Sequence, residues 1–512
     1  MKINLNLLSK LLVAFCCISI VSCNLQETNN GKWVKADFHM HTTMSDGNNT
    51  PEELAENAFQ KYDLDVIAIS EHGGKWYKVN DDFLRIDDNN NIIYDGKEYD
   101  SANVVSLKKF KNQSRTIQLE NKSFSEVLKL RKKYPQKMII QGLEWNIPGH
   151  DHGSIGILAE TGKSISDFHY MFDRNDIDYF GKPNLVKNCE SIHENSLKGL
   201  KYLEQNYPQE SYFILNHPSR SLKYTIADLR DFNNASSQIA IGFEGIPGHQ
   251  KFEGNRGEYT KALSTDPNYD SRTYGGADYF LSELGGVWDA LLGEGRRFWV
   301  FGNSDYHRTQ KDYWPGEYTT NYVWSTGDGY KSVIEGMKSG NIFVVQNNLI
   351  EDLKFTASAN GELKTMGEVL QVQNGTKVKI IIGFKSYSSK KDENEIELDH
   401  IDLICGDVTG LIKPESEQYN NTKNKSTKIL RSFKNDEFLQ VENEIRYLEF
   451  NHEADKSEYL RLRGSSLAIN TKNETDEFGN PLCDTLVVNT DAAAKADSWF
   501  YSNPIFINTD NK

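Results

Sequence analysis

Asp37-Phe38-His39-Met40-His41-Thr42-Thr43-Met44-Ser45-Asp46-Gly47 decides how the rest of this chain is read. Two histidines stand one residue apart, behind the apolar-flanked run Trp33-Val34-Lys35-Ala36. On a strand, residues i and i+2 point to the same face, so His39 and His41 project together from the C-terminal end of one strand. Asp46 follows in a Ser-Asp-Gly turn. Imidazoles with a carboxylate form a ligand set for a borderline divalent cation.

The pattern repeats downstream. Thr50-Pro51-Glu52-Glu53 opens a helix with Thr as cap, Pro in the first position and acids in the first turn, predicted to run to about Tyr62. The run 65–70 reads as a buried strand and ends in Glu71-His72-Gly73. Strand, helix, strand, with ligand-type residues at each strand's C-terminal end, predicts a βα-barrel with its chemistry at that end. The polar, turn-rich residues after His72 read as an insertion over the barrel mouth, about 74–135, closed by a helix over 123–134. The next strand, 137–144, ends on Glu144, and Gly149-His150-Asp151-His152 precedes a strand over 154–158. Strands over 211–215, 239–243 and 299–301 end in Asn216-His217-Pro218, in Glu244 and in Gly302-Asn303-Ser304-Asp305-Tyr306-His307. Trp145, Trp288 and Trp299 are expected in the core, and Arg296-Arg297 at a solvated helix end.

A helix over 328–340 closes this first domain, residues 36–347. Beyond it, short β-type runs such as 377–382 alternate with Asn/Gly/Lys/Asp-rich connections and no helices, predicting a β-sandwich over 348–512 that ends in a strand near 498–505. Only His400 and His452, of 12 histidines, lie in that half, so the chemistry belongs to the first domain.

Composition narrows the classes. The chain has 512 residues, 26% of them charged, and a formal net charge of −15. That sign argues against a nucleic-acid partner. It leaves room for a small anionic substrate, because bound cations supply local positive charge. Lys2 and Lys10 precede an apolar run from Leu11 to Val21 that is too short to span a membrane permanently. The run ends in Ile20-Val21-Ser22-Cys23, which resembles a bacterial lipoprotein signal. Residues 1–22 are then a signal peptide, Cys23 the lipidated first residue and 23–35 a tether. An ordinary cleaved signal peptide is the alternative. The expected place is the bacterial cell envelope, facing the periplasm or the cell surface, with the lipid at Cys23 as the membrane contact. Cys189, Cys405 and Cys483 remain, an irregular odd set that is not a disulfide framework, with a Cys405–Cys483 pair as one option.

These motifs resemble the PHP (polymerase and histidinol phosphatase) superfamily. The resemblance rests on the opening Asp-x-His-x-His-Thr-x-x-Ser-Asp-Gly, the Thr-Pro-Glu-Glu-Leu helix and the late Gly-x-Ser-Asp-x-His, and covers about Asp37 to Asn347. The second motif departs mildly, as Ser70-Glu71-His72 where the family often has Thr-Asp-His. Within the family the chain looks most like the stand-alone phosphoesterases and carbamate-hydrolase-like proteins.

The resemblance implies a distorted seven-stranded (β/α) barrel holding up to three divalent ions, manganese, iron or zinc. His39, His41, Glu144 and Asp305 would bind one. Glu144 would share a second with His152 and His217, with His150 competing for the place of His152. Asp46, His72 and His307 would hold the third. A hydroxide bridging two ions would then attack a phosphoester. Glu144 and Asp305 would serve the catalytic centre, and Arg220 would hold a phosphate oxygen. Asp37 is expected to orient a ligand, Glu71 and Asp151 to orient imidazoles, and His249 is weighed as a pocket-lining residue. The same site could hydrolyse an amide or carbamate, and a non-catalytic, metal-stabilised binding lipoprotein is the rival of another class.

Overall fold

The computed structural model describes residues 31–79, 82–86, 92–94, 97–99, 111–158, 161–176, 192–248, 251, 273–387, 396–484 and 494–510. The leader, Cys23, Cys189 and His249 lie outside these residues.

Strands β1 (Lys32–Asp37) and β2 (Val66–Ile69) are joined through α1 (Pro51–Glu56). Thr50 caps α1 as expected: its hydroxyl accepts from the Glu53 N–H and the Glu53 carboxylate accepts from the Thr50 N–H. The regular helix is shorter than expected, and a single π turn (Asn57–Lys61) carries the chain to Tyr62. The insertion forms an antiparallel five-stranded sheet between Lys75 and Ser114. It leads through a π turn (Leu119–Ser123) into α2 (Phe124–Lys133). There follow β3 (Met138–Asn146), β4 (His152–Ile157), α3 (Lys163–Phe172), α4 (His193–Asn206), β5 (Ser211–Leu215), α5 (Ile226–Ala235), β6 (Ala240–Ile246), α6 (Val287–Leu292) and β7 (Trp299–Gly302). β2, β3, β5, β6 and β7 are buried along their whole length, as near-continuous apolar runs in a covered sheet must be.

These seven strands pair in the order β7-β6-β5-β4-β3-β2-β1. The two ends of that order meet: the His41 N–H donates to the Tyr306 carbonyl and the Asp305 N–H to the His39 carbonyl, both at 2.9 Å. The C-terminal ends of β1 and β7 therefore lie side by side although 260-odd residues separate them.

The repeat is not uniform. β4 runs antiparallel to both β3 and β5. A tight turn, with the Ile147 N–H donating to the Asp151 carbonyl at 3.1 Å, joins β3 to β4 where a helical crossover would keep them parallel. The reversal puts the start of β4, not its end, beside the C-terminal end of β3, with Asn146 opposite His152.

After β7 come β8 (Thr319–Ser325), α7 (Tyr330–Ser339) and β9 (Ile342–Gln346). β8 adds antiparallel to β1, and β9 to β8. The C-terminal half is nearly all strand, and its run at 377–382 sits inside Thr376–Ser386 of a second, antiparallel five-stranded sheet. The first sheet also continues into this half: β9 pairs with β10 (Trp499–Ser502), which pairs with Glu458–Ser465. One apolar core holds Phe355, Ile380 and Ile382 of the five-stranded sheet with Leu403, Leu462, Phe343 and Phe500 of the long one. Residues 31–512 make a single compact unit of mixed α/β structure. No helix among the described residues is long and apolar enough to cross a membrane.

Trp145, Trp288 and Trp299 are core residues as expected. Arg296 is not solvated: it is buried, with its Nε donating to Glu294 at 2.9 Å. Cys405 is a buried free thiol, so the Cys405–Cys483 bond is not formed.

Candidate metal centre

The expected ligands converge where the strand ends meet. Glu144, on the all-buried strand β3, is the hub. Its carboxylate oxygens lie 2.7 Å from His72 Nδ1, 2.9 Å from His152 Nδ1, 3.2 Å from His39 Nε2, 3.3 Å from His217 Nε2 and 3.4 Å from His41 Nε2. Asp305 Oδ1 sits 3.1 Å from both His39 Nε2 and His41 Nε2. Asp46 Oδ2 sits 3.2 Å from His72 Nε2 and 3.1 Å from His307 Nε2.

Three sets of ligand atoms are close enough to share an ion: His39, His41, Glu144 and Asp305; His41, Asp46, His72 and His307; and His72, Glu144 and His152. The first set is the expected one. The second adds His41 to the expected Asp46, His72 and His307. In the third, His72 stands beside Glu144 and His152, while His217 approaches the same Glu144 oxygen as His152. All nine expected ligands are thus in one cluster. His39, His41, Glu144, His217 and Asp305 are buried, and Asp46, His72, His152 and His307 are partly exposed, so the cluster opens on that side.

Two of these residues have left-handed backbone. His217 has φ +28° and Asp305 φ +45°, and neither is glycine. Such a conformation costs on the order of 1–3 kcal/mol and persists only where neighbours impose it. At His217 the N–H is held by Glu244 Oε2 at 2.9 Å; at Asp305 it is held by the His39 carbonyl.

The hydrogen bonding suits cations more than it suits the bare side chains. Glu244 Oε1 lies 2.7 Å from His39 Nδ1 and fixes the proton there, so the Nε2 lone pair faces the cluster. Glu144 Oε2 and His217 Nδ1 are buried without a hydrogen-bond partner, although His72 Nδ1 is only 2.7 Å from that oxygen. Close approach without hydrogen-bond alignment is how ligands of one ion meet. In the metal-free chain protons carry the compensating charge. Burial opposes it, yet Asp305, Glu244 and Glu144 hold His39 well above the usual imidazole range. Against the same burial, Asp46 raises His307 to about 9. Burial, with His307 and His72 as neighbouring cations, pushes His41 down to about 3. Although burial opposes their ionisation too, the surrounding imidazoles hold Glu144 and Asp46 well below the usual carboxylate range.

The surrounding residues divide by what they hold. Asp37 ties the ends of β1 and β7 together, accepting from the N–H groups of His39 at 3.1 Å and Ser304 at 3.0 Å; burial pushes its carboxyl up to about 7. Glu71 does not take the expected role of an imidazole's partner but accepts from the hydroxyls of Thr42 and Ser45, fixing the turn that carries Asp46. Asp151 likewise serves Arg220: the Nη2 group of Arg220 lies 3.0 Å from Asp151 Oδ1 and 3.3 Å from His152 Nδ1, at the open side of the cluster. His150 turns away from Glu144 and pairs with His193 at 2.8 Å, so of the two competing histidines it is His152 that joins the cluster. Glu244 and Asn216, whose Nδ2 lies 3.0 Å from Glu144 Oε1, are site residues that carried no assigned role in the sequence. Their positions at strand ends, in series with the ligands, were the available signal.

No family model matches the chain, and no curated protein does. Among solved structures the chain is similar to a two-domain protein from Bacteroides vulgatus containing a predicted PHP-like metal-dependent phosphoesterase. The two share 12% identity over 90% of this chain and 96% of that one, with a TM-score of 0.37.

Proposed function

We propose that this chain is a metal-dependent hydrolase that cleaves phosphoester bonds, built on a distorted seven-stranded PHP-type barrel with a C-terminal β-sandwich. The observation that carries the reading is the single buried Glu144 carboxylate within 3.4 Å of imidazole nitrogens from five histidines. A cluster of lone pairs this dense is stable only around positive charge. His39, His41, Glu144 and Asp305 form the inner site; Glu144, His152 and His217 the middle; Asp46, His72 and His307 the outer. Three divalent ions, of manganese, iron or zinc type, fit that donor set. When bound they supply Lewis acidity and activate water at neutral pH.

The chain's own residues do the rest. The open side, rimmed by Asp46, His72, His152 and His307, receives the substrate. Arg220, steadied by Asp151, offers a guanidinium to a phosphoryl oxygen there. Glu244 and Asp37 keep His39 aimed inward. The apolar leader ending at Cys23 supports a place in the cell envelope as a lipoprotein.

The test is an assay of metal-loaded protein against phosphomonoesters, phosphodiesters and aryl carbamates, alongside His39→Ala and Glu144→Gln. Phosphoester turnover that disappears on chelation and falls at least 100-fold in both variants is expected. Turnover of carbamates alone would reassign the reaction, and wild-type rates in both variants would remove the cluster from catalysis.

A further inference from the structure

A second imidazole–carboxylate cluster lies outside this centre. It joins three distant segments: the β3–β4 turn through His150, the first residue of α4 through His193, and the first turn of α5 through Asp228. His150 Nε2 is 2.8 Å from His193 Nδ1, and Asp228 Oδ1 is 3.9 Å and 3.7 Å from the same two nitrogens. The three donor atoms lie close enough to share one ion.

The outer hydrogen bonds settle where the protons are. His150 Nδ1 is 2.9 Å from the Lys223 carbonyl, which can only accept, so that nitrogen carries the hydrogen. His193 Nε2 is 3.2 Å from Asp231 Oδ2, so it too is the donor. In their neutral forms both rings then turn a lone pair toward the other at the 2.8 Å contact. Asp228 is prepared in the same way. Its Oδ2 caps α5, accepting from the N–H and hydroxyl of Thr225 at 2.7 Å each, which leaves Oδ1 facing the imidazoles. His150 is also clamped in place, stacked on Tyr224 at 5.3 Å between ring centroids. A carbonyl or carboxylate behind each imidazole is the arrangement that orients metal-bound histidines.

We propose that His150, His193 and Asp228 bind a divalent cation of the zinc class, with water completing a tetrahedral set. Two nitrogens bound at about 2.0–2.1 Å in such a set stand roughly 3.3 Å apart, so loading opens the imidazole pair by about half an ångström. His193, at the partly exposed start of α4, is free to make that adjustment. The ion clips the β3–β4 turn to two helices. That turn carries Asp151 and His152, so the clip braces the open side of the main cluster without belonging to it.

The competing occupant is a proton, since an imidazolium at His193 would also satisfy the pair. Diffraction from zinc-soaked crystals of the full chain, collected above the zinc edge, separates the two. An anomalous peak bonded to His150 Nε2, His193 Nδ1 and Asp228 Oδ1 is expected whether or not the main cluster is filled. A zinc-filled main cluster with no peak here overturns the proposal. His193→Gln is expected to lose this peak and one zinc equivalent while keeping the others. Asp231→Asn keeps all three donor atoms but weakens the acceptor that fixes the His193 proton, and is expected to loosen this zinc roughly 10–100-fold. Unchanged zinc stoichiometry in the first variant, or unchanged affinity in the second, also overturns it.

Discussion

At the scale of single residues, the site depends on groups that need never touch a substrate. Glu244 holds His39 through one oxygen and the strained backbone of His217 through the other, and takes the Asn303 amide at 2.9 Å as well. Glu244→Gln should therefore lower metal affinity by roughly 10–100-fold with little change in melting temperature, measured by metal competition titration and calorimetry. Protonation competes with loading. Acidification through the range set by His307, raised to about 9, adds a proton where an ion would sit, so metal affinity rises with pH through that range. A titration of apparent affinity from pH 6 to 10 that shows no slope would contradict the electrostatic account of the cluster. Asp173, beside Asn146 at the end of β3, titrates in the opposite sense for stability. Burial pushes it up to about 7. An unfolded chain releases that proton near pH 4, so between about 4 and 7 the folded state binds more protons and stability falls as pH rises. Asp173→Asn should flatten that fall, read as a smaller difference in urea midpoint between pH 5 and pH 8.

At the scale of elements, the close pairing of strands leaves no room for some side chains. A Cβ on Gly242 of β6 would lie 2.0 Å from the Trp299 carbonyl oxygen of β7, a backbone atom that cannot swing away. Gly242→Ala should prise apart the two strands that deliver Glu244 and Asp305, and abolish soluble protein or lower its melting temperature sharply. Gly361, in a turn at φ +84°, meets nothing within 4 Å. Gly361→Ala there costs about 1 kcal/mol from the left-handed backbone alone, about one degree in the same melting experiment for a unit this large. The contrast separates packing from conformational preference.

At the scale of the molecule, the two halves behave as one body because buried contacts cross between them. Arg461, on the C-terminal strand next to β10, donates twice to Asp289 of α6, both bonds at 2.8 Å, with both side chains buried. Removing one partner leaves a buried charge unpaired, so Asp289→Ala should cost roughly 3–5 kcal/mol. The double replacement Asp289→Leu with Arg461→Met should recover most of it, measured by urea unfolding. A chain cut after Asn347 loses β10 and opens the edge of β9, where Phe343, Val344 and Val345 pair with Ser502, Tyr501 and Phe500. Such a fragment is expected to aggregate rather than fold as a soluble enzyme.

Much of the centre was legible in the chain itself. Ligand-type residues recurred at the ends of apolar runs, and a strand end is where a covered sheet leaves polar groups room to meet. That recurrence put ligand-type residues at one end of the sheet, and the motifs that resemble the PHP superfamily singled out His39, His41, Asp46, His72, Glu144, His217, Asp305 and His307 among them. Tertiary structure decided what local pattern does not encode. The choice of His152 over His150 followed from the reversal of β4, a pairing set by a neighbouring strand and a five-residue turn. The second cluster of His150, His193 and Asp228 likewise exists only because α4 and α5 pack beneath that turn. Side chains brought together by packing share no spacing in sequence, so their chemistry becomes visible only once the chain is folded.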